Sequence, residues 1–226
     1  MSRNLFNRTI TSIILIIILL FVIFSNYIVL VSSLSVICII ICYEASNIIS
    51  KILMKDKNNG NQKLNTKFLL FNIITFFYIF FIFFQFSYQI YKTEGSIFLL
   101  FIIFVCFFTD IGGYFVGKIV GGKKLTNISP NKTISGTIGS FIFCILPLLI
   151  FKELNYLNFE YSLNSIIFVI LISFVSQMGD LFISHLKRRA KIKDTGSILP
   201  GHGGILDRLD GIIFALPFSY FLLKII

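Results

Sequence analysis

The sequence predicts an all-α, polytopic membrane protein, and three observations carry that prediction. Of its 226 residues, 56% are hydrophobic and only 13% charged, and the mean hydropathy of +0.91 lies far above what a water-soluble core requires. The apolar residues gather into runs of about 15 to 20, the length that spans hydrocarbon as a helix. The Lys and Arg residues fall between those runs and load alternate connections, as cytoplasmic loops do.

Seven runs can be placed, at residues 10–24, 28–43, 68–84, 97–116, 136–151, 164–183 and 211–226. The first follows Arg3 and Arg8, as a secretory leader would, but no small-x-small cleavage site comes after it, so an uncleaved span is expected. Only Ser25-Asn26-Tyr27 divides it from the second run, and the seventh is short; a tilted or reentrant helix would suit either place. Between the second and third runs, Lys51 to Lys67 is polar and turn-rich around Asp56-Lys57-Asn58-Asn59-Gly60-Asn61, which reads as a mobile inside loop.

Charge tests this count independently. With the amino terminus inside, the inside segments hold Arg3 and Arg8; then Lys51, Lys55, Lys57, Lys63 and Lys67; then Lys118, Lys123, Lys124 and Lys132; then Lys187, Arg188, Arg189, Lys191, Lys193 and Arg208. The outside segments and the last span hold only Lys92, Lys152 and Lys224. A span wrongly added or dropped in the middle would destroy that bias. The net charge of +10 is therefore a property of loops, and no soluble module presents a basic face to nucleic acid. The polar loops are too short to bury cores of their own. The chain reads as one transmembrane domain, 1–226, with amino-terminal spans in 1–95 and a half that carries the chemistry in 96–226. Cys38, Cys42, Cys106 and Cys144 all lie within apolar runs without CxxC spacing and read as small buried hydrophobes.

The chemistry is expected where ionised carboxylates approach the bilayer, because each costs several kcal/mol there unless paired, hydrated or bound to metal. Asp110 and Asp180 fall toward the inside ends of the fourth and sixth spans, and Asp207 and Asp210 stand where the seventh begins, all on one membrane face. Asp110 alone reads as an ordinary ion pair. Around Asp180, helical spacing puts Gln177, Asp180, Ser184 and Lys187 or Arg188 on one stripe. An acid, a hydroxyl and cations in that order suit a metal-bound polyphosphate, with hard oxygen for Mg²⁺ and cations for phosphate.

The loop that follows, Lys193-Asp194-Thr195-Gly196-Ser197-Ile198-Leu199-Pro200-Gly201-His202-Gly203-Gly204-Ile205-Leu206-Asp207-Arg208-Leu209-Asp210, is the sharpest signal. Gly201, Gly203 and Gly204 remove side chains where backbone would approach a ligand, and their amides could face phosphate. Gly112 to Lys118 spells GxxxxGK, but Ile119 stands where a P-loop needs Ser or Thr and the segment leaves an apolar helix, so a P-loop ATPase is rejected.

From Ser184 to Asp210 the sequence resembles the signature of phosphatidate cytidylyltransferases: Ser184, Lys187-Arg188, Lys193-Asp194, Gly196, Leu199-Pro200, His202-Gly203-Gly204 and Asp207-Arg208-Leu209-Asp210, each at the family's spacing. Upstream, Asp110 to Lys118, Gly121-Gly122-Lys123-Lys124-Leu125 and Ser129-Pro130-Asn131-Lys132-Thr133 through Gly136 are similar to a second block of that family. One departure is Ser135, where the family commonly has Glu. Glu44 falls where the family tends to place an acid near the end of its second span, without the full flanking aromatics. The amino-terminal half is similar only in hydropathy, and members of the family usually have more spans.

The resemblance implies attack of the phosphatidic acid phosphate on the α-phosphorus of CTP, releasing pyrophosphate and leaving CDP-diacylglycerol. It implies Asp180 and Asp207 as metal ligands with Asp210 next, Lys187 and Arg188 at the reacting phosphates with Arg208 as a further phosphate binder, and Ser129 with Lys132 as a second anchor. Ser184, Gly203 and Gly204 join the substrate site in that reading; His202 would hydrogen-bond phosphate, bind metal or shape the loop. Mg²⁺ is the implied cofactor, from oxygen-only ligands. Membrane lipid and a second copy of the chain are the implied partners, and the inner membrane, with amino terminus and active site cytoplasmic, the implied location. The rivals are a CTP-dependent polyprenol or phytol kinase of the same superfamily and a small multi-pass transporter. The transporter would need its acids near mid-membrane. A CDP-alcohol phosphatidyltransferase would need a DGxxAR motif that is missing.

Overall fold

A computed structural model describes residues 3–56, 63–126, 129, 132–154 and 162–225. The expected inside loop around residues 57–62 lies outside the described residues. The elements in chain order are α1 (Arg3–Phe24), α2 (Tyr27–Asp56), α3 (Lys63–Phe77), a π-helical stretch (Tyr78–Phe84), α4 (Gln85–Glu94), α5 (Ser96–Val120), α6 (Ile134–Phe143), α7 (Leu146–Glu153), α8 (Leu163–Arg189), α9 (Leu206–Leu209) and α10 (Ile212–Leu222). Among the described residues the only β pairing is two isolated bridges, Lys124 with Thr133 and Leu199 with Gly203. The all-α class is borne out.

Five helices among the described residues are long and apolar enough to cross a membrane: Tyr27–Met54, Thr66–Glu94, Ser96–Val120, Ile134–Glu153 and Leu163–Arg189. They contain the second to sixth expected spans. The first expected span is the shorter apolar helix Thr9–Phe24. The seventh is α10, whose 11 residues reach about 16 Å at 1.5 Å per residue, short of a hydrocarbon core of roughly 30 Å. The break between the first two spans falls at Ser25 and Asn26, as read from the sequence. Gly95, at φ 88, makes the one-residue turn between α4 and α5, a backbone state that L side chains rarely adopt.

The chain divides into two compact units, Met1–Gln85 with Leu186–Leu209, and Phe86–His185 with Asp210–Ile226. In the first, α2 contacts α1, α3, the π-helical stretch and α9. It buries Leu30, Cys38, Ile41, Glu44, Ile48 and Leu53, so one of six buried groups on the helix is a carboxylate.

In the second unit α5 contacts α6, α7 and α10. The α5–α6 contact is made by glycine. A Cβ on Gly112 would lie 2.6 Å from the Gly139 carbonyl oxygen, one on Gly136 would lie 2.6 Å from that of Gly113, and one on Gly117 would meet Thr133 Oγ1 at 2.9 Å. The GxxxxGK stretch that imitates a P-loop is thus a helix-packing face, with Gly113 and Gly117 in the small-xxx-small spacing that lets membrane helices approach. Aromatic contacts complete this unit, among them Phe101 with Phe151 at 5.5 Å and Phe98 with Phe168 at 6.1 Å between ring centroids. The four cysteines are free thiols, Cys38, Cys106 and Cys144 buried and Cys42 partly so, as their apolar settings predict.

Candidate functional site

The loop of the first unit is shaped by its own sequence. At the end of α8 the chain reverses through Lys191 at φ 56, with the Ile192 amide donating to the Lys187 carbonyl at 3.0 Å and the Lys191 amide to that of Arg188 at 3.1 Å. That pair of bonds is a Schellman motif, with lysine in the place usually given to glycine. Farther on, the His202 amide donates to the Leu199 carbonyl at 2.9 Å. Pro200 and Gly201 (φ 77) then occupy the two central positions that proline and glycine favour in a type II turn.

Two buried carboxylates hold this loop. Asp207 Oδ2 accepts from the Thr195 amide at 2.7 Å, the Thr195 hydroxyl at 3.0 Å and the Gly204 amide at 3.0 Å, while Oδ1 takes Lys187 Nζ at 2.7 Å. Burial pushes the Asp207 carboxyl up, but the Lys187 ammonium and the Gly204 and Thr195 amides outweigh it and hold the group below its ordinary range. Glu44, 1% exposed on α2, accepts from the Ile205 amide through Oε1 at 3.1 Å, and through Oε2 from the Leu206 amide at 2.9 Å and the Thr195 hydroxyl at 2.8 Å.

The glycines serve these carboxylates. A Cβ on Gly196 would lie 2.6 Å from Glu44 Oε1, one on Gly203 2.7 Å from Asp207 Oδ2, and one on Gly204 would collide with Thr195 Oγ1 and both Glu44 oxygens. What the bare backbone approaches is the protein's own acids. The Gly204 amide points at Asp207 and the Gly203 amide at the Leu199 carbonyl, at 3.2 Å.

His202 is engaged on both sides of its ring, Nδ1 lying 2.6 Å from Thr11 Oγ1 and Nε2 3.1 Å from Ser12 Oγ on α1. Arg208 Nη2 and Nε donate to the His202 carbonyl at 2.7 and 3.2 Å. Around this loop lies a cavity of about 620 Å³ whose lining includes Lys193, Asp194, Ser197, His202, Arg208 and Gly196, Gly201 and Gly203, of the size that small-molecule sites have. Lys193 and Arg188 are exposed and form no ion pair among the described residues.

The second unit carries another cluster. Gly179 on α8 packs against the start of α10, where a Cβ would lie 2.8 Å from the Asp210 carbonyl oxygen and 2.5 Å from the Phe214 ring. That close approach brings the Asp210 carboxyl within hydrogen-bonding reach of Asp180. Asp180 also accepts from Ser184 Oγ at 3.2 Å and forms an ion pair with Lys132. Lys132 is held by its backbone: its amide donates to the Ser129 carbonyl at 3.1 Å and its carbonyl accepts from Leu125 at 2.8 Å. Thr133 then caps α6 through the Gly136 amide at 3.1 Å. Ser135, where the resemblance led one to look for Glu, donates to the Gly121 carbonyl and sits 3.0 Å from Thr133 Oγ1. An ionised carboxylate has no proton to give a carbonyl, so this tie between the end of α5 and the start of α6 needs the hydroxyl.

The expected residues thus fall into two groups. Lys187, His202, Gly203, Gly204, Asp207 and Arg208 meet in the first unit, and Ser129, Lys132, Asp180, Ser184 and Asp210 in the second. Of the expected stripe on α8, Asp180 and Ser184 share a face, while Gln177 turns back to Ser173 Oγ at 3.4 Å. Asp110 is exposed on α5. Thr195, Thr11 and Ser12 were not foreseen, and Glu44 was noticed only by position; a charged residue at the core spacing of α2 was the signal available.

Among the described residues no three His, Cys, Asp or Glu side chains form a group that could hold a metal ion. The chain's donors fit a divalent cation nonetheless. Asp180 and Asp210 offer hard oxygens close together, and Mg²⁺ is commonly held by one or two carboxylates, with water and substrate phosphate completing its shell.

A profile described as the cytidylyltransferase family matches residues 6–226. The phosphatidate cytidylyltransferase of Bacillus subtilis (strain 168) is 46% identical over 118 residues, 52% of this chain and 44% of that protein. That of Staphylococcus aureus (strain COL) is 44% identical over 134 residues, 58% and 50%, and that of Staphylococcus haemolyticus (strain JCSC1435) 43% over 119, 52% and 45%. The chain spans about half the length of the curated relatives it matches.

Proposed function

The chain belongs to the cytidylyltransferase family, and we propose that it is a phosphatidate cytidylyltransferase, transferring CMP from CTP to phosphatidic acid to give CDP-diacylglycerol and pyrophosphate. The observation that carries this reading is the 620 Å³ cavity on the glycine-bearing loop, with Lys193 and Arg208 in its wall and its shape set by Glu44 and Asp207. Support comes from relatives that bear this name and share 43–46% of aligned residues.

A phosphate oxygen of phosphatidic acid bonds to the α-phosphorus of CTP, the bond from that phosphorus to the bridging oxygen breaks, and pyrophosphate leaves with the electron pair. The attacking monoester has a second pKa of about 6 and is already largely ionised at neutral pH, so no strong general base is required. The obstacle is repulsion between anions, and charge neutralisation with positioning supplies the catalysis. In the first unit Lys193, Arg188 and Arg208 bind phosphate oxygens, and Lys187 is poised to do so on leaving Asp207. In the second, Lys132 with Ser129 and Ser184 forms the other phosphate anchor, and Asp180 with Asp210 holds Mg²⁺. When bound, that ion neutralises phosphate charge and polarises the phosphorus. Asp207 could take a cation only by exchanging Lys187 for it.

The protein sits in the inner (plasma) membrane with its amino terminus and its chemistry on the cytoplasmic side, and α1 adds a further span while α10 enters the bilayer without crossing it; the lysine and arginine bias supports that orientation. The test supplies purified protein with Mg²⁺, CTP and phosphatidic acid, and measures both products. CDP-lipid and pyrophosphate in equal amounts are expected. CDP without CDP-lipid would make it a kinase, and no CTP consumption would end the proposal.

A further inference from the structure

Glu44 has no part in the chemical step assigned above, yet among the described side chains it is the one charged group on the buried face of α2, and the three donors that reach it belong to the loop: the Thr195 hydroxyl, the Ile205 amide and the Leu206 amide. We infer that Glu44 is a positioning residue for the nucleotide cavity, the fixed pin that keeps the loop in shape while Asp207 is free to change partners. This rests on the function proposed above.

The argument is a count of donors. The Thr195 hydroxyl has one proton, and it lies 2.8 Å from Glu44 Oε2 and 3.0 Å from Asp207 Oδ2, so it donates to one carboxylate at a time. Asp207 also holds Lys187, the one cation paired with it among the described residues. If Asp207 were the sole anchor, drawing Lys187 toward a substrate phosphate would unbalance the group that holds Thr195 and Gly204 in place. Glu44 removes that conflict. It grips the loop at both ends of the glycine turn, through Thr195 before it and through Ile205 and Leu206 after it, and among the described residues it pairs with no cavity-lining cation. Gly196 and Gly204 admit no side chain because Glu44 fills the space where one would go. The inference gives Glu44 control of nucleotide affinity and leaves the chemical step to other residues.

The test pairs Glu44→Gln with Thr195→Val, alone and together, in the full chain in detergent. Gln keeps the volume but turns one acceptor into a donor facing an amide. Amide exchange is read first, because it needs no turnover. In Glu44→Gln it should quicken in the peptide covering residues 193–209 and remain unchanged in α5 and α6, with the double variant no faster than Glu44→Gln alone. The KM for CTP should rise about tenfold, or 1.4 kcal/mol, with kcat within about threefold of the parent, and Glu44→Asp should recover part of the loss. Unchanged exchange in 193–209, or an equal rise in every helix, would overturn the inference, as would a fall in kcat at constant KM. If the parent itself fails to consume CTP, the proposed function fails and the exchange result still decides the part played by Glu44.

Discussion

Asp207 and Asp180 each hold a lysine, yet the two carboxylates are satisfied in opposite ways. Around Asp207 the backbone does most of the work: two amides, a hydroxyl and Lys187 fill both oxygens. Around Asp180 the neighbours are side chains, Lys132 and Ser184, together with a second carboxyl, Asp210, which accepts from the adjacent Gly211 amide at 2.9 Å. One carboxylate is tied to the backbone of its own loop; the other is held by side chains of α8 and of the segment before α6. Two carboxylates at such range disfavour joint ionisation unless a cation intervenes. The comparison separates an acid that builds a loop from the pair of acids to which the proposed function assigns the metal.

The largest expected effect lies at the pair. Asp180→Asn should lower CTP-dependent turnover by about 10³-fold, the upper end for losing one electrostatic stabiliser, and raise the Mg²⁺ concentration for half-activity at least about tenfold. Thermal stability in detergent should stay within about 1 kcal/mol, because the amide oxygen still accepts from Lys132 and Ser184 and both side chains of the ion pair are partly exposed. A stability loss matching that of an Asp207 variant would erase the distinction between the clusters.

Asp207→Asn should behave in the reverse proportion. Its side chain is 5% exposed and that of Lys187 14%, so the substitution strands a buried ammonium. The loss should be about 3 kcal/mol of stability, with turnover falling about 10²-fold or more and membrane insertion unchanged. Full activity in this variant would remove the loop from the mechanism.

How far these clusters were legible in the sequence depended on distance along the chain. Asp180 with Ser184 was readable because four residues make one helical turn, and Leu199-Pro200-Gly201-His202 because proline and glycine name their turn. The five long spans followed from hydropathy. Glu44 to Leu206 was not readable: 162 residues separate the partners, and nothing local tells a buried glutamate that holds a loop from one that pairs with lysine. The glycines misled for a related reason. Sequence shows that a side chain is missing, and it leaves open whether the space admits a ligand or the protein's own acid, as at Gly196, Gly203 and Gly204.

Acid should sharpen the contrast by a smaller amount. The Asp207 carboxyl is held below its free value near 3.8, so its contribution to stability is fully present above that pH and drains away as pH falls through the lower, folded value. Thermal unfolding of the parent and of Asp207→Asn, compared from pH 7 down to about 3, should show their difference constant above pH ~5 and narrowing below pH ~4. A difference that grows in acid would mean the folded pKa is raised, and the donor arrangement around Asp207 would then be wrong.

The smallest effect tests whether the loop's entry is as firmly specified as its anchors. Lys191 adopts φ 56 at the position where a Schellman motif favours glycine, because a Cβ there crowds the backbone. Lys191→Gly relieves that crowding, while the unfolded chain gains freedom and offsets part of the benefit. The net should be a gain of about 0.5 to 1 kcal/mol in thermal stability, with CTP turnover unchanged, since Lys191 is exposed and among the described residues pairs with neither carboxylate cluster. If turnover falls with the loss of this one cation, the charge of Lys191 belongs with Arg188 and Lys193 among the phosphate-binding groups, and the strained backbone is then the cost of placing it there.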